Sequence, residues 1–144
     1  MIEQDTIKLL RECDAGVKMG ISSIEDVIDR TEHTQLRDIL HRCLEEHQML
    51  HEKIQERLSR FEDEGKQPNP VAKTMSHMKT TFKLGLKEND NNIASLMTDG
   101  CNMGVKSLNR YLNEYKAAEE YAKDIAKKLI QLEETLAKDM TPFL

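Results

Sequence analysis

The 144 residues suffice to bury one continuous core. Their 21 Lys and Arg against 26 Asp and Glu are interspersed along every helical segment, which excludes nucleic acid as the main partner because phosphate binding needs clustered cations. No apolar run approaches a membrane span and Met1-Ile-Glu-Gln-Asp-Thr6 lacks the pattern of a secretion signal, so a cytoplasmic protein without a membrane partner is expected.

The cysteines agree with that compartment. Cys13, Cys43 and Cys101 are odd in number, lack Cys-x-x-Cys spacing and fall on apolar stripes. They read as small buried thiols in a reducing cytosol rather than as disulfides or a structural zinc site.

The first helix is predicted over residues 4–30. Leu9, Cys13, Val17, Gly20, Ile24 and Val27 recur at spacings of four and three, which lines one helical face. Gly16 and Gly20 lie on or beside that face and cost about 1 kcal/mol each against Ala. Either close helix approach or room for a neighbouring side chain offsets that cost. Thr31-Glu-His-Thr34 is a short connection in which Thr31 or Thr34 can cap the next helix, and it makes the two helices antiparallel neighbours.

The second helix is predicted over 35–64, with the stripe Leu36, Leu40, Cys43, His47, Leu50, Ile54, Leu58 and Phe61 and with Gly65 as its terminator. Prolines 68 and 70 then stop helical continuation. A short amphipathic crossover helix is expected over 71–87, carrying Val71, Met75, Met78, Phe82 and Leu86. After the polar break at 88–92, a third helix carries Ile93, Met97, Cys101, Val105, Leu108, Leu112 and Tyr115. The fourth presents Ala118, Ala122, Ile125, Leu129, Leu132 and Leu136, and Phe143 in the tail can fold back on the bundle end.

The third helix repeats the first. Cys13-Asp-Ala-Gly16-Val17-Lys18 returns as Cys101-Asn-Met-Gly104-Val105-Lys106, an offset of 88 residues, and the apolar stripe follows in register. The unit is a helix pair used twice, spanning 4–64 and 91–140. A single all-α four-helix domain over 1–144 is the expected fold.

Three stretches carry a resemblance: Glu12-Cys-x-x-Gly16, Gly85-Leu-Lys-x-x-Asp90 and Cys101-x-x-Gly104-Val-Lys. With the duplicated helix pairs, they make the chain resemble the ferritin-like superfamily, and more narrowly the bacterial DUF2383 bundles of unknown function. The resemblance implies a four-helix bundle with a crossover, and a superfamily whose members often hold two iron or manganese ions. The motif for those ions is a Glu from each of two helices and Glu-x-x-His on the other two. Here Leu44 stands three residues before His47 and Gln48 three before His51, the fourth helix has no histidine, and Glu133 and Glu134 flank its stripe. The usual di-metal carboxylate centre is therefore not expected.

A different metal constellation can be drawn. Folding antiparallel about residues 32–33 sets His51 level with Asp14 and His47 level with Lys18. His47 and His51, four apart, project from one face, and Asp14 or Cys13 could add ligands for iron, manganese or zinc. A neutral core histidine is the competing reading of His47. No nucleophile–base pair for catalysis can be argued.

The functional expectation is a non-catalytic structural or interaction protein without a cofactor, forming a homo-oligomer through the apolar face of Met75, Met78 and Phe82. The alternative is a ferritin-like metal-binding or redox protein using His47 and His51. A third reading is a bundle that binds an apolar small molecule in space left by Gly16, Gly20 and Gly104.

Overall fold

The computed structural model describes residues 2–67 and 89–144. Among them are α1 (Ile2–Val27), α2 (Thr34–Ser59), α3 (Asp90–Glu114) and α4 (Glu120–Met140), with single 3-10 turns at Ile28–Arg30 and Thr141–Phe143 and no strand. The crossover helix expected over 71–87, with Met75, Met78 and Phe82, lies outside the described residues, as does the Gly85 end of its motif.

The α1 stripe is core, because Leu9, Cys13, Val17, Ile24 and Val27 are all fully buried. So is the α2 stripe from Leu36 through Leu58, His47 included. Each large apolar side chain so buried contributes about 1.5–3 kcal/mol before the entropy of ordering is subtracted.

The helix ends follow local hydrogen bonding that the stripes do not encode. His33, rather than Thr31 or Thr34, caps α2: its Nδ1 accepts from the Gln35 amide at 3.1 Å. Thr31 instead donates its hydroxyl to the Ile28 carbonyl and is held by Arg37, which donates to its Oγ1 and its backbone oxygen. At the other end α2 stops at Ser59, short of the expected residue 64. The Asp63 amide donates to the Leu58 carbonyl and the Glu62 amide to Ser59, with Glu62 at φ 56°, a paired closure of the kind glycine usually provides. Gly65, at φ +92°, serves another purpose described below.

Two reciprocal ties set the helix directions. The Asp90 carboxylate at the start of α3 accepts from the Glu32 and His33 amides in the α1–α2 turn. At the opposite end, Asp5 and Thr6 of α1 accept from the Ala117 and Glu119 amides in the α3–α4 turn. α3 therefore runs antiparallel to α1 and parallel to α2, an up-down-down-up order. Packing is closest within the pairs α1–α2 and α3–α4; α4 also meets α1 and α2, and α1 meets α3 less extensively.

The core has two apolar halves. One is built on Leu9, Leu10, Val17, Leu50, Ile54, Leu58, Leu108, Ile125 and Leu129. The other is built on Ile24, Val27, Leu36, Leu40, Ile93, Met97, Leu136 and Met140. His47, Gly104 and Glu133 fall in sequence between the two sets on α2, α3 and α4, so a polar layer lies at mid-height.

Candidate functional site: a glycine-lined cavity at mid-bundle

Two buried polar clusters require an account, and the first is structural. Asp14 is fully buried, yet its carboxylate is saturated. It pairs with Lys18 at 2.6 Å, accepts from the Gln55 amide nitrogen at 2.7 Å and accepts from the Lys66 backbone amide at 3.0 Å. Gly65 is needed here, because a Cβ at that position would overlap the Asp14 carboxylate in addition to being strained at positive φ. Lys66 also pairs with Glu12, so the segment after α2 is fastened to α1 at two points.

His51 approaches this cluster. Its Nε2 lies 3.4 Å from Asp14 Oδ1, close enough for charge attraction when the ring is protonated, but without hydrogen-bond geometry, so the nitrogen has no hydrogen-bond partner among the described residues.

The second cluster lines a cavity of about 310 Å³ between α1 and α3, with α4 behind it. Gly16, Gly20 and Gly104 contribute to its wall, together with His47 and Glu133. His47 Nδ1 is 2.8 Å from the Cys43 carbonyl, which can only accept, so Nδ1 carries the proton and Nε2 is left as a bare acceptor. The ring's Cδ2–Nε2 edge rests on Gly20. Burial disfavours the imidazolium and lowers the pKa of His47, against smaller opposing effects from the Cys43 carbonyl and Glu46.

Glu133 occupies the corresponding place on the other pair. Its carboxylate lies where a Cβ on Gly104 would be, only 8 % of the residue is exposed, and Oε2 has no hydrogen-bond partner among the described residues. Burial alone pushes this carboxyl from 4.5 up to about 8, so it is mostly protonated at neutral pH. Burial, followed by nearby acidic groups including Glu133, pushes the Cys13 and Cys43 thiols up to about 12, and Cys101 is raised for the same reasons. All three are free and inert as nucleophiles in this state.

A second depression of about 410 Å³ lies between α2 and α4, bordered by Arg42, Glu46, Lys53, Lys128 and Asp139.

The structure brings together only part of the sequence-derived metal set. Asp14 and His51 meet, as the antiparallel register requires. His47 contacts Gly20, beyond the expected level of Lys18, and turns Nδ1 to a backbone carbonyl. Among the described residues no three or more His, Cys, Asp or Glu side chains are gathered to hold a metal ion. Asp14 already spends its lone pairs on three donors, and Cys13 keeps its proton.

Glu133 is the residue that the stripe reading misplaced. It does not flank the buried face of α4 but belongs to it. The signal was present: position 133 is four after Leu129 and three before Leu136, the same spacing used by the apolar residues. Its polar type hid its phase. Of the two roles open to the α1 glycines, Gly20 makes room for a neighbouring side chain, His47, and Gly104 does the same for Glu133. Compared with protein-family models, with curated proteins and with solved structures, the chain matches none.

Proposed function

We propose that this chain is a cytoplasmic, non-catalytic, ferritin-like four-helix binding protein that holds a small apolar molecule in the cavity between α1 and α3. The observation that carries this reading is Glu133 Oε2, a buried oxygen without a hydrogen-bond partner among the described residues, at the wall of a cavity of about 310 Å³. A buried polar oxygen left without a partner costs about 1–3 kcal/mol, which a ligand supplying a hydrogen-bonding group would recover. The up-down-down-up order of the four helices supports the ferritin-like assignment. The inert thiols and a His47 whose Nδ1 is spent on a backbone carbonyl support a binding role over nucleophilic catalysis. Self-association belongs to the same proposal, its basis being the sequence of 71–87, and a strict monomer in sedimentation removes it.

Titration with ethylbenzene, followed calorimetrically, tests the cavity. Saturable one-site binding is expected, and Gly16→Met should abolish it with helix content retained. A Cβ at residue 16 makes only ordinary contact with Leu129 at 3.6 Å, leaving the longer side chain to fill the space. Equal binding by the variant rules the site out, as does the failure of hydrocarbon, alcohol and amine probes alike to saturate.

A further inference from the structure

We infer that the ligand of this cavity is an apolar amine, its ammonium group paired with the Glu133 carboxylate and its hydrocarbon body lying on the glycine-lined wall of α1 and α3. The inference rests on the reading that the cavity takes a small molecule, and it follows from what the wall offers and lacks. Glu133 lines the wall with a carboxyl whose Oε2 has no hydrogen-bond partner among the described residues, and His47 lines it with Nδ1 already spent on the Cys43 carbonyl, so both side chains retain an acceptor. Of the cations bordering the cavity, Lys66 is paired with Glu12, and Arg110 lies over the Tyr111 ring at 5.2 Å. A carboxylate ligand would be offered a single donor, the O–H of protonated Glu133, beside the His47 acceptor. A hydrocarbon would leave the Glu133 oxygen unsatisfied. An alcohol would supply one donor and no charge, whereas an ammonium group supplies three donors and the missing counter-charge.

Binding in this form releases a proton. The protonated Glu133 carboxyl and the ammonium ligand give an ion pair, and the carboxyl proton leaves to solvent. The groups around Glu133 do not take that proton. From α1 they are the Cys13 thiol and Glu12; from α2, the Cys43 thiol and His47; from α3, the Cys101 thiol and Arg110; and Lys66 stands at the border. The thiols are already protonated, burial keeps His47 neutral, and Glu12 is held by Lys66.

The test compares 2-phenylethylamine, 2-phenylethanol and ethylbenzene by isothermal titration calorimetry, in two buffers of different ionisation enthalpy, on the full chain and on Glu133→Gln. The amine should bind at least about tenfold more tightly than the alcohol, with close to one proton released per ligand at neutral pH. Its affinity should rise about tenfold per pH unit and level off near pH 8, the point to which burial pushes Glu133. Glu133→Gln should remove both the preference and the proton release while circular dichroism stays unchanged. Binding of the alcohol or ethylbenzene without an amine preference, or an amine preference untouched by Glu133→Gln, overturns the amine inference and leaves the cavity reading standing. Failure of all three probes to saturate overturns both.

Discussion

Gly20 and His47 fit as seat and occupant: a Cβ added at residue 20 would stand 2.7 Å from both Cδ2 and Nε2 of the imidazole. The ring cannot swing away freely, because its Nδ1 is fixed to the Cys43 carbonyl at 2.8 Å. The glycine on α1 thus leaves the room that the Cδ2–Nε2 edge of His47 occupies.

Gly20→Ala should therefore destabilise the protein, although the substitution gains helix propensity. The propensity gain is about 1 kcal/mol, and overpacking against a pinned ring costs about 1–3 kcal/mol, so a net loss of about 1 kcal/mol is expected. In a His47→Ala background the same change should become stabilising. Urea unfolding of the four proteins in the cycle decides the matter, and additivity would show that the two residues do not share the space.

Glu133 and His47 give opposite pH dependences. A carboxyl raised from 4.5 to about 8 holds more protons in the folded state, so stability falls as pH rises through that window. A histidine lowered from 6.5 holds fewer, so stability falls as pH drops below 6.5. The two slopes oppose one another between 4.5 and 6.5; of the two, Glu133 alone acts from there to about pH 8, above which the raised Cys13 and Cys43 thiols add a decline of the same sign. Stability should decline by up to about 1.4 kcal/mol per pH unit from neutrality toward pH 8. Glu133→Gln should flatten this decline; a decline unchanged in the variant would assign it to other groups.

The thiols should be silent in the native protein. With Cys13 and Cys43 pushed up to about 12 and Cys101 buried with them, labelling by an aromatic disulfide at mildly alkaline pH should proceed only as fast as the chain opens. Rapid modification of one thiol in folded protein would contradict this burial.

Asp14→Asn should loosen the segment that follows α2. The change weakens the pairing with Lys18 and the acceptor for the Lys66 amide, at a cost of about 1–3 kcal/mol. Cleavage by trypsin after Lys66 should accelerate in the variant well before global unfolding. Equal cleavage rates would mean that Asp14 does not fasten this stretch.

Incubation with Fe(II), Mn(II) and Zn(II), followed by exhaustive desalting, should leave only substoichiometric, mixed metal. His47→Leu/His51→Leu should not change it, since Asp14 is engaged by three donors and His47 faces the cavity with one nitrogen only. One equivalent of a single metal, lost in the double variant, would restore the metalloprotein alternative.

The sequence by itself determined the helices and the faces they bury. Spacings of four and three are set by helix geometry, so Leu9 through Val27 and Leu36 through Leu58 could be placed in the core before any tertiary contact was known. The antiparallel register of α1 and α2 was equally legible, because a short turn leaves little choice, and it brought His51 to Asp14. The tertiary structure alone decided which polar groups are satisfied. Asp14 and Glu133 are both buried carboxylates, yet Asp14 meets Lys18, Gln55 and the Lys66 amide while Glu133 meets the open side of Gly104. That difference depends on partners far along the chain, 41 and 52 residues from Asp14 in the case of Gln55 and Lys66, and no local periodicity encodes it. The cavity arises in the same way, because a glycine's space has meaning only once a side chain from another helix occupies it or leaves it empty.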